Sequence, residues 1–244
     1  MKAPISGYLL DPNLIDVWPV SLLADQSDFP ILRSLLGSEE VLRADQFRTQ
    51  ELQQRYTLVH AALRVLLGRY LNENPAALQF TTSRNGKPRL QGDRPPWFNL
   101  SHSDGVALIG VTAACEIGID IETIRPLPDM IDLAKRFFCA EETEDLMSLD
   151  PKDQSKAFYS CWTRKEAYLK ATGDGLQARL DHFRVSLRPS EPVRLLHIGG
   201  SATRAAQWTL HNIDSLESSI GALAHPGPPL HLRLMPLVSA GQLR

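Results

Sequence analysis

Asp120 and Glu122 are the residues with the clearest chemical potential in this chain, in the run Gly118-Ile119-Asp120-Ile121-Glu122. Ile117, Ile119 and Ile121 alternate with Gly118, Asp120 and Glu122, the period-two pattern of a strand with two unlike faces. Two carboxylates at i and i+2 on one strand face lie about 6–7 Å apart and can converge on one cation, with Gly118 leaving room beside them. A solvated acidic face is the simplest other reading, and a general acid and base for glycoside cleavage is another. Two unneutralised carboxylates this close suit a hard metal better than the latter.

A second set lies in Trp162-Thr163-Arg164-Lys165-Glu166-Ala167-Tyr168-Leu169-Lys170-Ala171. Trp162, Glu166 and Lys170 recur at i, i+4 and i+8, so a helix projects them from one face. Glu166 and Lys170 then read either as a surface ion pair or as a third carboxylate beside a phosphate-gripping lysine. A third set is Asn99-Leu100-Ser101-His102-Ser103, leading into the apolar run Val106-Ala107-Leu108-Ile109-Gly110-Val111. No Gly-x-Ser-x-Gly elbow accompanies its serines, and the chain has no Walker A or Gly-x-Gly-x-x-Gly loop. Arg43, Arg48, Arg55, Arg64 and Arg69 read as solvating residues or as part of a phosphate pocket. Arg48 and Arg55 share a face if one helix carries both.

The elements that must position these residues mix without strict alternation, which points to an α+β fold. Pro12, Pro19 and Pro30 break the first 36 residues into short strands and turns. A helix is expected from Ser38, a possible cap, with Glu39 and Glu40 in its first turn. A longer one is expected from Glu51 to Leu71, where Leu52, Tyr56, Val59, Leu63, Leu66, Leu67 and Tyr70 recur every three or four residues. Asn85-Gly86 marks a hairpin whose two turn residues both take positive φ. Further helices are predicted over 130–138, 140–149 and 155–172, then strands over 183–187, 193–198, 207–213 and 219–224. The proline-rich tail after His225 is expected to be peripheral.

Composition sets the outer bounds. The 244 residues are 43% hydrophobic and 22% charged, enough for a sizeable core and against disorder. Twenty-six basic against 28 acidic residues give a net charge of -2, so no global field recruits nucleic acid or an anionic membrane. Cys115, Cys139 and Cys161 form no CxxC pair and read as free thiols. The start Met1-Lys2-Ala3-Pro4 lacks a signal-like pattern and the longest apolar run is about half a membrane span, so the expectation is a cytoplasmic protein.

Taken in order, these pieces resemble the 4′-phosphopantetheinyl transferases of the surfactin-synthetase-activating type. The matching strings are Gly86-Lys87-Pro88, Phe98-Asn99-Leu100-Ser101-His102-Ser103, Gly118-Ile119-Asp120-Ile121-Glu122, Ala134-Lys135-Arg136-Phe137-Phe138 and Trp162 through Lys170. Gly173-Asp174-Gly175-Leu176 and Leu180-Asp181-His182-Phe183 complete the set, which spans residues 40–225. Each string is weak alone; the ordered set is specific.

The resemblance implies a pseudo-dimer of two similar halves, about 1–117 and 118–244, with coenzyme A in the cleft between them. It implies a monomer that moves phosphopantetheine from coenzyme A to a serine of acyl or peptidyl carrier proteins, releasing 3′,5′-ADP. The carriers would serve fatty acid, polyketide or nonribosomal peptide synthesis. Asp120, Glu122 and Glu166 fall on the family's metal-binding acids, for Mg²⁺ or Mn²⁺, and Lys170 on its pyrophosphate-contacting lysine. Glu166, Lys170 and Asp120 are thereby the catalytic candidates. Arg55 and His102 fall on donor-phosphate residues, Asn85, Gly86, Lys87 and Pro88 on the loop beside the adenine, and Ser101 on a donor-binding serine. Glu142 aligns with a further acid of the active-site region. Where some relatives carry paired lysines for the 3′-phosphate, this chain reads Ser38-Glu39-Glu40-Val41-Leu42-Arg43, leaving Arg43 or Arg48 as substitutes. The other class of reading is a coenzyme A- or carrier-binding module that kept the fold and lost the chemistry.

Overall fold

A computed structural model describes residues 8–175, 179–214 and 218–243; Leu176 of the Gly173-Asp174-Gly175-Leu176 motif lies outside them. The first part of the chain runs β1 (Leu14–Ser21), α1 (Phe29–Ser34), α2 (Ser38–Asp45), α3 (Gln50–Leu71), β2 (Phe80–Thr82), β3 (Pro88–Leu90), β4 (Trp97–Ser103) and β5 (Val106–Thr112). The second runs β6 (Gly118–Thr123), α4 (Met130–Phe137), α5 (Ala140–Met147), α6 (Pro151–Thr172), β7 (Phe183–Val185), β8 (Leu195–Ile198), α7 (Ala202–Ala205), β9 (Trp208–Ile213), β10 (Ser219–Pro226) and β11 (His231–Leu234). The architecture is α+β, and no helix among the described residues is long and apolar enough to cross a membrane.

Two sheets, each with a 22-residue helix, form the frame. In the first, ordered β11-β1-β5-β4, Trp18, Val20, Ile109 and Val111 pack with Leu58, Leu63, Leu66 and Leu67 of α3. In the second, ordered β6-β10-β9, Ile220, Ala222 and Ala224 pack with Phe158, Tyr168 and Leu169 of α6. A third cluster joins them: Ile15, Val17 and Leu108 meet Ile117, Ile119, Ile121 and Leu223. The predicted isoleucine face is therefore the joint between the two sheets. Both long helices are capped by side chains at their starts, and α6 begins at Pro151, four residues before the expected start at 155. Thr49 Oγ1 accepts from the Leu52 N–H at 3.3 Å, and Asn72 ends α3 in the left-handed region. Asp150 Oδ1 accepts from the Lys152 N–H at 3.1 Å, and Gly173, with φ 74°, ends α6.

Four expectations need correction. Ser38 sits inside α2; Gly37 is the N-cap, and its N–H donates to Glu40 Oε2 at 2.8 Å, so the acid three residues on does the capping. Arg48 lies between α2 and α3, so it shares no helix face with Arg55. The β2–β3 hairpin closes through residues 83–87, with only Gly86 at positive φ (85°), because a Gly86 N–H bond to the Ser83 carbonyl sets the bend. The tail is not peripheral: β11 pairs parallel with β1, from Leu14 with His231 to Val17 with Leu234. Val238, Ala240 and Leu243 are buried beyond it.

Candidate active site

The site grows from the edge where β4 meets β6. Those strands share no ladder; side chains join them instead. Asn99, Ser101 and Ser103 alternate along β4 and so reach the same way. Asn99 Oδ1 accepts from the Ile119 N–H at 2.9 Å, Ser101 Oγ donates to Asp120 Oδ1 at 2.8 Å, and Ser103 Oγ donates to Glu122 Oε2 at 3.1 Å. Ser103 Oγ also accepts from the Thr123 N–H at 3.1 Å. The Asn-x-Ser-x-Ser pattern thus does for this seam what backbone pairing does inside a sheet, and it places the acids.

Gly118 supplies the other wall. A Cβ there would lie 2.1 Å from the Ala167 carbonyl oxygen and 2.2 Å from the Ala171 nitrogen, so α6 rests directly on β6. The room expected beside the acids is filled by helix backbone. That close approach lets Lys170 Nζ donate to Asp120 Oδ1 at 2.7 Å and to Ser101 Oγ at 2.8 Å. Lys170 is therefore Asp120's partner rather than the surface partner of Glu166. Asp120 is 4% exposed, and its Oδ2 is buried with no hydrogen-bond partner among the described residues. Around it, burial and the Asp120 charge hold both Glu122 and Glu166 above the ordinary glutamate range, with Lys170 opposing the shift in each. A solvated acidic face would show neither the buried aspartate nor these displaced carboxyls.

Glu166, Leu169 and Lys170 of α6, with its cap Gly173, face Asn85, Gly86, Pro88, Asn99 and Leu100 across a cleft of about 270 Å³. Asn85 Nδ2 ties the hairpin loop to α6 by donating to the Gly173 carbonyl at 2.7 Å. Gly86, Pro88, Asn99 and Leu100 also border a wider bowl of about 680 Å³, whose other walls include Glu40, Arg43, Tyr56, His60 and Phe80. His102 points outward from β4; desolvation, then the cations of Arg55 and Lys170, hold its imidazole below the ordinary value. Arg55 itself donates to Glu51 Oε1 at 3.0 Å.

Other candidates are committed elsewhere. Lys87 borders the cleft, yet its ammonium turns away, to Glu116 Oε2 at 2.5 Å and the Ile117 carbonyl at 2.8 Å. Glu142 is fully buried outside the cleft, accepting from the Cys139 and Val185 N–H groups and pairing with Lys165 at 2.7 Å. Arg64 is no solvating residue: it is 3% exposed, donates to the Pro75 and Leu78 carbonyls and pairs with Glu40 at 2.5 Å. Sequence reasoning singled out the run from Asn99 to Ser103 but gave Asn99 and Ser103 no role of their own, although the alternation along β4 carried that signal, and it did not single out Leu169.

Whether the acids fit a divalent ion turns on Asp120 Oδ2 and the two raised glutamates. A hard cation would give the orphaned oxygen a partner and relieve the repulsion among three carboxyls, so the donor set fits Mg²⁺. One oxygen from each of the three does not lie within 4.8 Å of the others, so side-chain movement is needed before all three can hold one ion.

Residues 116–222 match the model of the 4′-phosphopantetheinyl transferase superfamily. The chain is 39% identical over 226 residues to the 4′-phosphopantetheinyl transferase HetI of Nostoc sp. (strain PCC 7120), covering 88% of this chain and 92% of that protein. It is 32% identical over 162 residues to the 4′-phosphopantetheinyl transferase Sfp of Bacillus subtilis (strain 168), covering 66% of this chain and 71% of the other.

Proposed function

The chain belongs to the 4′-phosphopantetheinyl transferase family, and from that premise we propose that it moves phosphopantetheine from coenzyme A to a serine of acyl or peptidyl carrier proteins. The observation that carries this reading is the Lys170–Asp120–Ser101 cluster, from which Lys170, together with Glu166, lines the cleft. Asp120, Glu122 and Glu166 would hold Mg²⁺, or Mn²⁺ in its place, and the ion supplies charge neutralisation to the donor's pyrophosphate.

The remaining roles belong to the chain. Glu166, which lines the cleft, takes the proton from the carrier serine hydroxyl. The serine oxygen attacks the phosphorus that bears the pantetheine arm. The bond to the bridging oxygen breaks, and 3′,5′-ADP departs with that oxygen. Lys170, 29% exposed along its side chain, offers an ammonium to the charge that builds on the phosphoryl oxygens. Arg55 and His102 receive the donor's phosphates from the open side. Asn85, Gly86, Lys87 and Pro88 wall the adenine, Lys87 with its stem and backbone, and Ser101 holds Lys170 in line. Arg43, in the bowl next to the cleft, is the substitute for the missing 3′-phosphate lysines. The same reading divides the chain near residue 117 into two halves that complete one cleft as a cytoplasmic monomer.

Incubating the protein with an apo carrier, coenzyme A and Mg²⁺, then weighing the carrier, tests the proposal. A gain of one phosphopantetheine is expected; no gain with fatty acid, polyketide and peptide carriers alike would overturn it.

A further inference from the structure

We propose that Cys139, Glu141 and His197 form a second metal site, apart from the donor cleft, for a borderline transition metal such as Zn²⁺. One ligand atom from each lies within 4.8 Å of the others, and no other His, Cys, Asp or Glu trio among the described residues achieves this. Tetrahedral ligands around Zn²⁺ are roughly 3.3–3.8 Å apart, so the trio needs only a small closure. Thiolate, imidazole and one carboxylate are a donor set for Zn²⁺, while Mg²⁺ prefers oxygen alone.

Independent features of the fold prepare the place. Cys139 is the buried N-cap of α5, and its N–H donates to Glu142 Oε2 at 3.0 Å; burial and then the Glu142 charge push its thiol up to about 12, so an ion there must displace a firmly held proton. His197 stands on β8 with Nδ1 buried and without a hydrogen-bond partner among the described residues, so that nitrogen has no bond to lose on coordination. The neighbouring cations are already neutralised: Lys165 by Glu142 at 2.7 Å, and Arg184, opposite His197 on β7, by Asp145 at 2.7 Å. Glu141 is exposed, which leaves a fourth position for water. Binding replaces the Cys139 S–H bond by a sulfur–metal bond, and the displaced proton goes to solvent. The ion then staples the start of α5 to the short β7–β8 sheet.

Co²⁺ added to the EDTA-stripped full chain tests this, because a thiolate ligand gives a sulfur-to-cobalt charge-transfer band that a carboxylate site cannot. The band is expected in the wild type, saturating at one Co²⁺ per chain and erased by one equivalent of Zn²⁺ but not by a hundredfold excess of Mg²⁺. It should vanish in Cys139→Ser, serine being a favourable residue at an N-cap, and fall at least tenfold in Co²⁺ affinity in His197→Ala. The second variant carries the test if circular dichroism shows the first unfolded. Absence of the band in the wild type, or its persistence in a folded variant, overturns the site. Cys139→Ser should load a carrier at the wild-type rate with Mg²⁺, so this failure and that of the transferase reading are separately visible.

Discussion

Glu166 is held above its usual range first by burial and then by Asp120, so its charge opposes folding in the metal-free protein. The folded chain keeps that proton more tightly than the unfolded chain, so stability falls as pH rises between the two pKa values and the whole cost remains above both. Each unit of upward shift corresponds to about 1.4 kcal/mol. Glu166→Gln should therefore raise the melting temperature at neutral pH in EDTA while lowering kcat by ~10²–10⁴. A lowered melting temperature with normal turnover would remove Glu166 from the site. Where Mg²⁺ in excess restores the rate of this variant, the ligand role dominates; where it does not, the base role does. Arg55 has its own discriminator. Arg55→Ala should weaken coenzyme A much more than dephospho-coenzyme A if it holds the 3′-phosphate, and equal losses, read by titration, would exclude that contact.

At the scale of elements, the contact between α6 and β6 is what aligns lysine with aspartate. Gly118→Ala would push a methyl into the Ala167 and Ala171 backbone, which side-chain repacking cannot relieve. The expected cost is about 3 kcal/mol, the upper end for overpacking, with carrier loading lost through displacement of Lys170. A stable, active Gly118→Ala protein would contradict the geometry. Asn99→Ala tests the other wall: leaving the Ile119 N–H unpaired should cost ~1–3 kcal/mol in chemical unfolding. Much of this frame was legible in the sequence. The periodicity of α3, the two-faced β6 and the shared face of Glu166 and Lys170 are local patterns, and local patterns decide elements. Partners are not local. Nothing in the string near Lys87 says that its ammonium meets Glu116, nor near Arg64 that it is buried on Glu40, nor that Glu142 belongs to Lys165 rather than to the cleft. Gly118 was read as room beside the acids for a cation, but the backbone of α6 occupies that room, and such a neighbour is a tertiary fact.

The whole molecule is closed by its own tail, a feature no local pattern announced because parallel pairing of β1 with β11 spans most of the chain. Arg233 on β11 donates to both oxygens of Asp16, at 2.6 and 2.9 Å, and Asp16 is 4% exposed on β1. Tyr70 of α3 donates to the same carboxylate at 2.5 Å and accepts from Trp18 Nε1 at 2.9 Å. Three distant segments thus converge on one buried charge. Since Arg233 is itself 46% exposed along its side chain, the pair is partly screened, and Arg233→Ala should cost about 1–2 kcal/mol rather than the larger loss of a fully buried pair. Most of that cost is the uncompensated Asp16 charge. Asp16→Asn should therefore make a second change at Arg233 nearly free, so the double variant loses less than the sum of the singles in urea unfolding. Additive losses would mean that Arg233 acts through strand pairing alone. No loss in Arg233→Ala would mean that the ion pair adds nothing to a strand already held by its backbone pairing with β1 and by the buried Val238, Ala240 and Leu243 beyond it.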